Sequence, residues 1–163
     1  MNPSIRITEA EERDVPLILR FIRELAEYER LSDVCVATED LLREWLFGKT
    51  KRAEVLIAYY DNEAAGFALF FSNYSTFLAR PGIYLEDLYV IPRLRGKGIG
   101  KTLLITLARI AKERNCGRFE WAVLDWNKPS IDFYKNLGAT QLDDWRIFRV
   151  TGKALDDLAS LKE

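Results

Sequence analysis

Polar and apolar positions alternate along residues 4–8, which predicts a short first strand. Thr8 and Glu11 then stand at capping-box spacing. Beyond them Ile18, Ile22, Leu25 and Ala26, with Phe21 alongside, recur with the period of a helix. Thr38 opens a second helix through Leu41, Leu42, Trp45 and Leu46, and Gly48 suits its end. Residues 54–60 and 65–74 are dense in strand-forming side chains. The polar Asp61-Asn62-Glu63 between them predicts a hairpin. Residues 83–91 read as a strand rich in Tyr, Leu, Ile and Val that stops at Pro92.

A long helix follows from Ile99, with Leu103, Leu107, Ile110 and Ala111 on one face, and Cys116-Gly117 closes it. Residues 119–124 form the next predicted strand. Residues 127–138 predict a short helix with Asn127 or Lys128 before it, Pro129 in its first turn and Gly138 after it. Residues 145–150 alternate again and read as a late strand, and residues 153–161 as a terminal helix. Strands and helices interleave without repeats or low-complexity linkers, so the expectation is one α/β domain over residues 1–163.

Composition narrows the chemistry. With 24 Lys+Arg against 25 Asp+Glu, the net charge of -1 gives no electrostatic reason to expect nucleic acid or an anionic membrane as partner. There is no histidine, so neither a Ser-His or Cys-His nucleophile nor a His-ligated metal is available, and no metal is expected. Cys35 and Cys116 are isolated, which suits free thiols in a reducing cytoplasm. Residues 1–10 lack the apolar stretch of a secretory signal. The longest apolar run, residues 64–71 with Gly66 inside it, is far short of the roughly 20 residues that span a bilayer.

The densest chemistry lies at Arg93-Leu94-Arg95-Gly96-Lys97-Gly98-Ile99-Gly100-Lys101, between a strand end and a helix start. Glycines let the backbone turn and approach a ligand closely, and a helix N-terminus offers unpaired N–H groups and partial positive charge. Arg93, Arg95, Lys97 and Lys101 add full charges. The segment reads as a pyrophosphate cradle, with a solvated Gly-rich connector as the plain alternative. The glycine spacing is G-x-G-x-G, not the dinucleotide-binding G-x-G-x-x-G. A phosphate-binding P-loop ending at Gly100-Lys101-Thr102 needs glycine where Arg95 stands.

The same loop matches the R-x-x-G-x-G pattern of the GNAT acetyltransferases through Arg95, Gly98 and Gly100. Residues 84–90 (YLEDLYV), 125–135 (DWNKPSIDFYK), 24–29 (ELAEYE) and 145–148 (WRIF) resemble the diamine (spermidine/spermine) acetyltransferase branch of that superfamily. The resemblance implies a splayed, mostly antiparallel sheet flanked by helices. It also implies acetyl-CoA as co-substrate and direct acetyl transfer to a primary amine of a small cation, within a homodimer. Leu88, Tyr89 and Val90 would lie beside the thioester. Arg95, Gly96, Lys97, Gly98, Ile99, Gly100 and Lys101 would hold the pyrophosphate, and Asn127, Lys128, Pro129 and Ser130 would contact the arm. A peptide or protein amine, or a non-catalytic role in binding acyl-CoA, are the alternatives.

Tyr134 is the expected general acid, since a phenol can protonate a departing thiolate; by itself it reads as a core aromatic beside Phe133 and Leu137. Glu86 and Asp87 are two acids in an otherwise apolar strand. Adjacent strand residues face opposite sides, so both reach one site only if the strand bulges there. They would attract an ammonium ion and, through water, accept its proton; the alternative is a structural acid pair. Tyr28 and Glu29 are further substrate contacts by resemblance, and alone they read as an exposed helix end.

Overall fold

The computed structural model describes residues 4–161. They form two compact units, one running through Leu124 and the other starting at Asp125.

The first unit is built on a five-stranded sheet in the order β1-β2-β3-β4-β5, with β1 Ile5–Glu9, β2 Glu54–Tyr60, β3 Glu63–Ser75, β4 Arg80–Val90 and β5 Arg118–Trp121. All neighbours are antiparallel except β4 and β5. The β2–β3 turn is tight because Tyr60 pairs with Glu63 across Asp61 and Asn62 alone. Both turn residues have positive φ, 48° and 66°, the conformation whose twist matches a two-residue hairpin.

Residues 55–58 and 65–68 are continuous buried runs, as expected of strands covered on both faces. On one face Phe21 of α1 (Val15–Tyr28) stacks on Phe67, with ring centroids 5.6 Å apart. Phe70, an odd number of residues further along β3, points to the other face. There α3 (Ile99–Glu113) ends at Arg114, whose guanidinium lies 5.8 Å from the Phe70 ring and forks onto Glu54 at 2.6 and 2.7 Å.

Thr38 caps α2 (Glu39–Leu42) by accepting the Leu41 N–H at 3.3 Å, and the chain runs on into a π-helical turn at Arg43–Phe47. Thr38→Ala is expected to lower unfolding stability by about 1 kcal/mol in a urea titration, the usual value of one cap.

The expected capping box lies one element later. Thr8 sits in the β1 ladder opposite Ile57, and the reciprocal box is made by Glu11 and Asp14, with the Glu11 N–H donating to Asp14 Oδ2 at 2.8 Å.

The second unit holds α4 (Lys128–Asn136) and α5 (Lys153–Ala159). Residues 145–150, expected as a strand, form none in this chain. Alternation marks a segment able to pair, but a ladder also needs the backbone of a partner strand, which the pattern does not specify. Trp145, Ile147 and Phe148 are instead 74%, 76% and 92% exposed. Among the described residues no helix is long and apolar enough to cross a membrane.

Candidate active site

β4 carries the centre of the site. Its register with β3 runs regularly from Val90 opposite Gly66 to Asp87 opposite Leu69, then shifts so that Leu85 faces Phe70. Glu86 is therefore the extra residue of a β-bulge, the condition under which neighbouring Glu86 and Asp87 can serve one site. The parallel pairing with β5 covers only Gly82 to Leu85 and ends at Trp121. Beyond that point β4 and β5 separate, and the β4 edge along residues 86–90 is not laddered to β5. An extended ligand arm can hydrogen-bond such an edge as an added strand does.

The end of α1 meets this strand. Leu31 N–H bonds Ala26 O at 2.8 Å and Arg30 N–H bonds Glu27 O at 3.0 Å, a Schellman closure with Arg30 at φ 61°. The closure leaves Tyr28 and Glu29 half-buried rather than splayed into solvent. Glu29, 57 positions before Glu86, completes an acidic trio with Glu86 and Asp87. Burial of Asp87, then the charges of Glu86 and Glu29, raise the Asp87 carboxyl to about 7. Burial also raises the Glu29 carboxyl. The last turn of α1 holds no basic residue, so its partial negative end adds to the same field. A cation brought here relieves three mutually repelling groups.

Tyr89 is buried, and its phenol is pushed up to about 12 by burial and by its hydrogen bond to Glu24. Glu24 was not anticipated from sequence. The available clue is general: a buried tyrosine hydroxyl needs a partner.

Arg95 ties the strand to the helix. Its Nε donates to Val90 O at 2.9 Å, and its guanidinium lies 4.4 Å from the Tyr28 ring and 5.7 Å from the Tyr89 ring. Arg93 pairs with Glu63. The full charges left beside the start of α3 are Lys97, 5.4 Å from the Tyr60 ring, and Lys101.

Gly96 and Gly98 have φ of 77° and 86°, where a side chain is strained even though the space beside Gly96 is open. Gly98 is the N-cap, and its carbonyl accepts both the N–H and the Oγ1 of Thr102, at 2.9 and 3.0 Å. By helix geometry the amides of Ile99, Gly100 and Lys101 have no intrahelical carbonyl. Outward amides, two flanking lysines and no capping side chain suit a pyrophosphate.

In the second unit Asn127 is buried and caps α4 by accepting the Ser130 N–H at 3.4 Å, with Pro129 in the first turn. Lys128 pairs with Asp132 at 3.1 Å along the outer face. Tyr134 is half-buried with its ring tilted against Phe133, centroids 5.4 Å apart. Its carbonyl accepts the N–H groups of Leu137 and Ala139, closing the helix ahead of Gly138 at φ 89°.

Comparison with known proteins bears on the family and the fold. Residues 19–139 match the model of the acetyltransferase (GNAT) family. The chain is 44% identical to the thialysine N-epsilon-acetyltransferase of Sus scrofa, over 96% of this chain and 98% of the relative. It is 34% identical to the L-ornithine N5-acetyltransferase of Arabidopsis thaliana, over 96% and 88%. An integron cassette protein of V. cholerae superposes with a TM-score of 0.82 at 28% identity, covering 97% of this chain and 99% of that one. Family match, fold and long relatives agree: the chain is an acetyl-transferring enzyme and belongs to the GNAT acetyltransferase family.

Proposed function

We propose that the enzyme moves acetyl from acetyl-CoA directly to the primary amine of a small cationic substrate: a diamine, a polyamine or a lysine-like amino acid. The observation that carries this reading is the bulge at Glu86, which sets two acids beside Glu29 at the open edge of β4. The relatives named for thialysine and ornithine act on amino acids with a side-chain amine, and they lean the reading towards that class.

In the cofactor part of the site, the edge along Leu88, Tyr89 and Val90 binds the pantetheine arm. The amides at Ile99, Gly100 and Lys101, with the turn of Gly96 and Gly98 and the charge of Lys97, hold the pyrophosphate. Arg95 fixes the angle between strand and loop. Asn127, Lys128, Pro129 and Ser130 present the start of α4 to the arm. Acetyl-CoA supplies an acyl thioester, whose C–S bond breaks as the N–C bond forms.

In the amine part, the substrate arrives as ammonium, with a pKa near 10.4, and must lose a proton before it can attack. Glu86 accepts that proton through water. Asp87 and Glu29, with Tyr28 beside them, hold the second polar or cationic group. The Oη of Tyr134 carries the proton that the departing thiolate takes. The enzyme works as a cytoplasmic homodimer.

Calorimetry tests the cofactor assignment. Acetyl-CoA is expected to bind at least about tenfold more tightly than ATP or NAD, a difference of roughly 1.4 kcal/mol, because only its arm can pair with the β4 edge. Equal affinity for ATP and acetyl-CoA overturns the assignment.

A further inference from the structure

The side chain of Arg95 turns back from the loop that it opens. Its backbone is held on both sides: its N–H bonds Pro92 O at 3.2 Å, Leu94 before it is buried, and Gly96 after it takes φ 77°. Nε donates to Val90 O at 2.9 Å, and the guanidinium lies 5.7 Å from the Tyr89 ring. Tyr89 is fixed in its turn. It is buried, its ring tilts against Phe21 with centroids 6.0 Å apart, and its phenol bonds Glu24. A planar guanidinium held at one edge by a carbonyl and backed by a buried ring is a rigid platform.

Tyr28 lies on that platform. Its ring is 4.4 Å from the Arg95 guanidinium, inside the roughly 6 Å over which a ring face attracts a cation. Tyr28 is the last residue of α1 and Glu29 is its C-cap, so the placing of the ring also places the Glu29 carboxylate. The last turn of α1 has no basic residue, and the cation on it comes from the loop after β4. The charges that raise the Asp87 carboxyl are Glu86 on its own strand and Glu29 on α1, while Leu69 opposite it on β3 is uncharged. The charge of Arg95 does not enter that shift. Arg95 therefore reaches the acidic trio through the position of Tyr28 and Glu29, not through its own field.

We propose that Arg95 is a positioning residue for the amine: its guanidinium seats Tyr28, and through it Glu29, against Asp87. The loop that holds acetyl-CoA then also sets the geometry in which the second cation of the substrate is held. This link rests on the reading of Glu29 and Asp87 as the amine site, and it gives Arg95 a role distinct from phosphate binding.

Steady-state turnover at saturating acetyl-CoA tests it, because loss of cofactor affinity is then set aside. Arg95→Met keeps the length of the side chain and removes its charge, and Tyr28→Leu removes the ring. Each is expected to lower kcat/KM for a diamine by about 3- to 10-fold, mostly through KM, the size of one cation–π contact. A monoamine of matched length should change by less than about twofold, since it makes no use of the second subsite. The double variant should lose no more than the larger single loss, as for two residues acting through one contact. Tyr28→Phe keeps the ring face and should match the unaltered enzyme.

The pH profile is the companion readout. Freeing Glu29 from Asp87 removes one of the charges that raise the Asp87 carboxyl, so the bend near pH 7 should move to lower pH in Arg95→Met and in Tyr28→Leu. Losses that multiply in the double variant, that fall equally on the monoamine, or that leave the bend in place overturn the link and keep Arg95 with the cofactor alone. A loss in Tyr28→Phe as large as in Tyr28→Leu overturns it too, by assigning the effect to the hydroxyl. If Arg95→Met does not fold, Tyr28→Leu against Tyr28→Phe decides the same question. Asp87→Asn, measured beside them, separates the two failures. If it lowers diamine turnover while Arg95→Met and Tyr28→Leu do not, the link falls and the amine site stands. If none of the three does, both fall.

Discussion

Tyr134→Phe is expected to lower kcat by about 10²–10⁴ while leaving acetyl-CoA affinity nearly unchanged. The substitution keeps the ring, its tilt against Phe133 and the half-buried position on α4, and it removes one hydroxyl. A thiolate leaving without a proton is a poor leaving group near neutral pH, so the deficit falls on the chemical step. The measurement is single-turnover acetylation with calorimetric binding beside it, so that slow product release cannot mask the step. An unchanged single-turnover rate returns Tyr134 to the role of packing partner for Phe133. A parallel loss of acetyl-CoA affinity assigns the hydroxyl to binding.

Much of the scaffold was readable one element at a time. Asn127 and Thr38 each have a side-chain oxygen at the position where a helix lacks a partner for its first amides, and both cap as expected. Glycines at 96 and 98 stood where the chain needs positive φ, and both adopt it. What sequence could not supply depends on partners distant along the chain. The bulge at Glu86 exists only relative to the register of β3. Glu29 joins Glu86 and Asp87 only because a Schellman turn ends α1 against β4, and nothing in residues 24–29 alone specifies where that turn points. Arg95 read as a phosphate ligand from its motif, yet its side chain is engaged by Val90 O and by two tyrosine rings. Thr8 had the spacing of a cap and the position of a strand residue, and the ladder with Ile57 prevailed. Residues 145–150 have the pattern of a strand, yet they form no ladder among the described residues.

Asp87→Asn is expected to lower kcat/KM for a diamine or lysine-like substrate by about 10- to 100-fold, and for a monoamine of matched length by much less. A charged hydrogen bond contributes about 1.5–3 kcal/mol, and only the substrate with a second cation makes it. Glu86→Gln should act in the same direction, with an added fall in kcat for both substrates because Glu86 also takes the reacting proton. The pH dependence separates the two. In the free protein Asp87 ionises near 7, so the dication site gains its charge as pH rises through that value. The profile of kcat/KM should therefore bend near pH 7, on top of the steady rise from amine deprotonation, and the bend should vanish in Asp87→Asn. Stability should move in the opposite sense. A carboxyl whose folded pKa is raised holds its proton more tightly in the native state. Its contribution is complete below the unfolded value, near 4, and is lost as pH rises through about 7. Asp87→Asn should thus flatten the decline in unfolding free energy between those limits and leave the protein more stable above pH 7 than the unaltered chain. A variant that turns over the dication normally, or that is less stable above pH 7, places Asp87 in a structural pair instead. A clear preference for a short peptide over all small amines would move the acidic trio to an open groove and the enzyme to protein acetylation.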